Sequence, residues 1–136
     1  MSVTLNPLSS TFGVEAVGVD LAGPMAAEDL SAMQAALTDR LVMVVRDQNL
    51  TPEQYLDAAR MFGDLMPQHL TKILMPEHPE IAVLDSRQSD KDKTGAAIPT
   101  GSRNWHTDHT NHARPPKITM LYAVKLPSKG GDTSFA

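Results

Sequence analysis

Apolar residues recur along this chain at two periods, and each period marks a different kind of element. From Ala26 to Arg40, Leu30, Met33 and Leu37, with Leu41 after them, fall at near-helical spacing with polar residues between, which predicts an amphipathic helix. Thr51-Pro52-Glu53-Gln54 predicts a second: Thr51 caps, Pro52 suits the first turn, and Gln54 completes a capping box. Tyr55, Ala59 and Phe62 then form one buried stripe, and Gly63 suits the stop. The short-period segments are Gly13 to Leu21 (GVEAVGVDL), a valine-rich sheet-edge strand, and Leu41 to Val45, a continuous apolar run that predicts a buried strand. Further strands are expected at Ile81 to Leu84 and Ile118 to Val124, with another starting at Thr133-Ser134-Phe135. Asn6-Pro7 with Ser9-Ser10, Gly23-Pro24 and Pro127 to Gly131 mark turns, and Leu65 to Pro79 is expected as loop. Ser86 to Arg103 is polar, charged and too long for an ordinary connection, so it is expected to be a mobile lid or disordered. The whole predicts two helices packed on a mainly antiparallel sheet.

Candidate chemistry concentrates in Asn104-Trp105-His106-Thr107-Asp108-His109. In an extended strand alternate side chains share a face, so His106 and Asp108 point the same way, with Cα atoms about 6.6 Å apart at ~3.3 Å rise per residue. One imidazole nitrogen and one carboxylate oxygen then reach a single cation. A second, distant imidazole would complete the facial arrangement that leaves three positions open on non-haem Fe(II). His109 faces the opposite side of such a strand, and Trp105 is expected in the core. His-x-Asp alone also fits an ordinary polar strand, or a helix cap beside a solvated histidine. The surroundings favour a site: a long polar loop before it, and after it a β-rich segment closed by Gly130-Gly131-Asp132-Thr133, as at the mouth of a barrel.

Composition narrows the chemistry. The length of 136 residues is that of a single domain. A net charge of −4 leaves no basic footprint for nucleic acid or an anionic membrane surface, so neither is expected as a partner. With no cysteine there is no disulfide, thiolate ligand or thiol nucleophile, and metal chemistry falls to histidine and carboxylate. No apolar stretch approaches the ~20 residues of a membrane span and no leader pattern opens the chain, so a cytoplasmic location is expected. Assembly into a homo-oligomer is left open.

Four blocks, in order, carry a resemblance: GVEAVGVDL, then VVRDQNLTPEQ with ARMFGDL, then NWHTD, then LPSKGGDTSF. The sequence resembles the taurine dioxygenase and 2,4-dichlorophenoxyacetate dioxygenase family of Fe(II)/2-oxoglutarate-dependent oxygenases, over nearly the whole chain. The resemblance implies an α+β fold built on a double-stranded β-helix, the cupin-like jelly roll, with flanking helices and incomplete here. It implies His106 and Asp108 as iron ligands, Thr133 as a hydrogen-bond partner of 2-oxoglutarate, and a substrate-binding role for His69. It also implies dioxygen as co-substrate, succinate as co-product, and hydroxylation of a small organic anion of the sulfonate, sulfate ester or aryloxyalkanoate class. His69, Lys72 and Arg103 on their loops either meet such an anion or are solvated surface charges, the usual fate of loop cations.

The family's second iron histidine and its 2-oxoglutarate-binding arginine match nothing in these residues, so the chain is expected to be the N-terminal portion of such an oxygenase. Its activity alone is left open. Two rivals stand beside this reading. Asn104 to His109 resembles the His-x-His-x-Asp-His stretch of metallo-β-lactamase-like zinc hydrolases with Asn104 in place of the first histidine. A non-catalytic binding module is the other.

Overall fold

Backbone pairing begins earlier than the turn signals imply. A computed structural model of the chain describes residues 2–67, 71–85, 94 and 104–136. Strand β1 (Thr4–Pro7) pairs antiparallel with β2 (Val14–Val17), with Leu5 opposite Ala16, so Asn6-Pro7 lies in a strand rather than a turn. Proline is tolerated there because β1 is an edge strand and needs no donor on its free side. Strand β3 (Met43–Val44) pairs parallel with β2, which makes β2 the central strand of three and corrects its expected edge position. Between β2 and β3 runs helix α1 (Ala27–Arg40), the crossover that a parallel pair requires.

Helix α1 starts at Ala26 without a side-chain cap; Asp29 in its first turn instead accepts the Val3 N–H at 2.9 Å, tying β1 to the helix. Its apolar face buries Met33 completely, against Ala16, Leu21, Leu50 and Ala58. Helix α2 (Pro52–Arg60) has both halves of the capping box, with Thr51 Oγ1 accepting the Gln54 N–H at 3.3 Å and Gln54 Oε1 accepting the Thr51 N–H at 2.8 Å. Its buried residues are Leu56 and Ala58, while Tyr55, Ala59 and Phe62 are half-buried, so the stripe is rotated from the expected one. Gln48 joins the two connections: its side chain accepts the Leu21 N–H at 2.8 Å and donates to the Val19 carbonyl at 2.9 Å.

The region expected as loop contains a 3₁₀ turn (Thr71–Ile73) and strand β4 (Leu74–Met75), which pairs antiparallel with β5 (His78–Ala82). That hairpin packs beside α2, where His78 Nε2 lies 3.1 Å from Glu53 Oε1. The expected strands at Ile118 to Val124 and Thr133 to Phe135 are not formed, and no jelly roll is present among the described residues. Among the described residues the architecture is mixed α+β, a three-stranded sheet and a two-stranded hairpin with two helices. Strand geometry needs a partner backbone, and for 118–124 the described residues offer none. No helix among the described residues is long and apolar enough to cross a membrane. The expected lid at Ser86 to Arg103 falls outside the described residues, apart from Thr94.

Candidate metal centre

His106 and Asp108 meet, but by a route other than a strand. Residues 105–107 are irregular and 108–111 form a turn, with His109 at φ 54 in the left-handed region. The turn brings His106 Nε2 to 3.3 Å from Asp108 Oδ1. Each side chain then has its other polar atom held from behind. His106 Nδ1 lies 2.8 Å from the Asn104 carbonyl oxygen, an acceptor only, so Nδ1 carries the proton that it donates. Asp108 Oδ2 accepts from the Thr119 hydroxyl at 3.1 Å.

This arrangement can take a cation. With Nδ1–H committed to a carbonyl, neutral imidazole has its free lone pair on Nε2, and that lone pair faces a carboxylate oxygen. Two electron-rich atoms so placed repel unless a proton or a metal ion lies between them. Cis donors each about 2.1 Å from one octahedral cation stand about 3 Å apart, close to the separation here. A ligating histidine that gives its second N–H to a backbone carbonyl is the usual supporting pattern. Two donors are what the pair provides; among the described residues no group of three or more histidine, cysteine, aspartate or glutamate side chains could hold a metal ion.

His109 and His112 pack edge to face with ring centroids 5.4 Å apart, and the His112 N–H donates to the His109 carbonyl at 3.0 Å. Trp105 is 73% exposed, so the core position expected for it is not the one it takes. Thr133 lies exposed in the coil after Gly130 and Gly131, both at positive φ; a Cβ on Gly131 would meet Pro127 Cγ at 2.9 Å. Among the described residues no hydrogen bond links Thr133 to His106 or Asp108. His69 and Arg103, and the side chain of Lys72, lie outside the described residues.

Reading the sequence missed what holds this turn in place. The segment after it is anchored by two tyrosines. Tyr55 of α2 donates to the Met120 carbonyl at 2.6 Å. Tyr122 donates to the Gln48 carbonyl at 3.2 Å and accepts the Leu50 N–H at 3.0 Å, and the two rings stand 6.0 Å apart. Burial pushes the Tyr55 phenol up from its ordinary value, which keeps it a proton donor. Tyr122 inside an apolar run was the available signal, since a buried tyrosine hydroxyl usually finds a partner.

Residues 4–136 match the family described as Taurine catabolism dioxygenase TauD, TfdA family. An (S)-phenoxypropionate/alpha-ketoglutarate-dioxygenase of Sphingobium herbicidovorans is 35% identical over 96% of this chain and 43% of its own length. An alpha-ketoglutarate-dependent sulfate ester dioxygenase of Pseudomonas putida is 30% identical over 100% of this chain and 42% of its own. A taurine dioxygenase from Burkholderia xenovorans, known as a crystal structure, superposes with a TM-score of 0.55 at 32% identity, over 58% of this chain and 28% of that one. The chain thus spans about half the length of the curated relatives it matches. The match displaces the zinc-hydrolase reading.

Proposed function

The chain belongs to the taurine catabolism dioxygenase TauD, TfdA family, and from that premise we propose that the full-length protein is an Fe(II)- and 2-oxoglutarate-dependent oxygenase that hydroxylates a small organic anion. The observation that carries the reading is the facing of His106 Nε2 and Asp108 Oδ1 at 3.3 Å, each side chain held from behind by a hydrogen bond. His106 and Asp108 are the proposed iron ligands. The third ligand and the cation for the far carboxylate of 2-oxoglutarate are proposed to lie outside these 136 residues. A double-stranded β-helix is proposed for the whole protein, supported by the likeness to the Burkholderia structure.

The residues present have separable tasks in this reading. Asn104 fixes the histidine tautomer through its carbonyl, so that Nε2 offers a lone pair and no proton. Asp108 brings the negative charge that favours a cation over a neutral occupant. The hydroxyl of Thr133 donates a hydrogen bond to a carboxylate of 2-oxoglutarate, delivered there by the glycine turn before it. His69 contacts the anionic group of the substrate. Bound iron would supply dioxygen activation, coupling hydroxylation to the decarboxylation of 2-oxoglutarate to succinate. The substrate class follows the activities of the relatives, which act on a sulfate ester in one case and a phenoxypropionate in another.

Succinate release by the full-length protein with Fe(II), 2-oxoglutarate and air tests this, with an alkylsulfonate, an alkyl sulfate and an aryloxyalkanoate supplied in turn. One of the three classes is expected to stimulate release and to appear hydroxylated. No 2-oxoglutarate-dependent succinate with any of them would contradict the proposal.

A further inference from the structure

We propose that Thr119 is a positioning residue of this site: its hydroxyl holds the carboxylate plane of Asp108 so that one oxygen faces His106, and the Tyr55 anchor on the neighbouring residue holds Thr119 in register. The inference rests on the reading of His106 and Asp108 as metal ligands.

The two oxygens of Asp108 are divided between two tasks. Oδ2 accepts from Thr119 Oγ1 at 3.1 Å, and Oδ1 faces His106 Nε2 at 3.3 Å. The terminal torsion of an aspartate is broad, so nothing intrinsic to the side chain holds the carboxylate plane at the angle that presents one oxygen to each partner. The local backbone does little to impose it, because Asp108 sits in an exposed turn outside any helix or strand. Thr119 is also exposed and belongs to no helix or strand, so its own packing does not hold it. What holds it is the next residue. The Met120 carbonyl accepts the Tyr55 hydroxyl at 2.6 Å, and two residues further Tyr122 is bonded to Gln48 and Leu50. Helix α2 and the connection preceding it thereby set the position of a hydroxyl 11 residues from the carboxylate it orients.

The test is Mn(II) titrated into full-length protein without 2-oxoglutarate, with free Mn(II) read by electron paramagnetic resonance. Thr119→Val keeps the shape and removes the donor; Thr119→Ser keeps the donor. Removing such a supporting partner costs 10–100-fold in metal affinity, so Thr119→Val is expected to bind about tenfold more weakly, and Thr119→Ser within about twofold of the wild type. His106→Ala serves as the control for the site, and thermal melts of each variant report folding. Wild-type affinity in Thr119→Val, alongside loss in His106→Ala, would overturn the role of Thr119 and leave the ligands standing. Equal loss in Thr119→Val and Thr119→Ser, with unchanged melts, would overturn it too, because the hydroxyl would not be what matters. No Mn(II) binding by the wild type would overturn the ligand reading and this inference together.

Discussion

Leu41 pairs an ordinary side chain with a backbone conformation that suits glycine. It closes α1 at φ 66 and ψ −30, and the Val42 N–H reaches back to the Arg40 carbonyl at 2.8 Å, a tight three-residue turn of the strained kind. The side chain is 74% exposed, so little packing offsets the strain. Leu41→Gly is expected to raise stability by about 1 kcal/mol, the strain relieved exceeding the entropy that glycine adds to the unfolded chain. The urea midpoint should rise at constant slope; an unchanged or lower midpoint would mean that the turn stores no strain. The sequence hides this, because Leu41 continues the apolar spacing of the helix and also begins the apolar run of β3. His106 and Asp108 show the opposite case. Their i, i+2 spacing leads to an expected strand, where the contact is made by a turn: a turn also brings such residues together, and side-chain spacing alone does not separate the two.

Among the elements, those specified by local rules were legible. The capping box at Thr51 and Gln54 places the start of α2 to the residue, since both hydrogen bonds are made within four positions. The 3.6-residue rhythm likewise places α1 within one residue of its observed start. Strands depend on partners distant in sequence, which explains why Asn6-Pro7 reads as a turn in the sequence and 118–124 as a strand. That segment is held by side chains instead. Tyr122→Phe removes the group that accepts the Leu50 N–H and donates to the Gln48 carbonyl, leaving a donor on a residue only 9% exposed without its partner. A buried polar group left unsatisfied costs about 1–3 kcal/mol, and a loss of that size in urea denaturation is expected. A change within about 0.5 kcal/mol, the range of ordinary surface substitutions, would show that the hydroxyl is not the tie.

For the molecule as a whole, the packed part and the chemical part are distinct. The core gathers residues between Ala16 and Ala58, while His106, Asp108 and Thr133 lie on exposed backbone joined to that core through Met120 and Tyr122. Leu121, Val124 and Leu126 are 66%, 84% and 74% exposed, positions that a second layer of structure would cover in a two-layer fold. The family was legible from four ordered blocks, whereas the double-stranded β-helix is a property of strands paired across a whole domain, and the chain spans about half its curated relatives. His106 and Asp108 are proposed to form one face of a single iron site. Equilibrium dialysis of Fe(II) under anaerobic conditions tests it most directly, with full-length wild type, His106→Ala and Asp108→Ala compared at matched fold by circular dichroism. About one iron per wild-type chain is expected, with loss of most of it in each variant, as removal of a ligand from a three-ligand site requires. Iron retained at wild-type stoichiometry and affinity in both variants would contradict it.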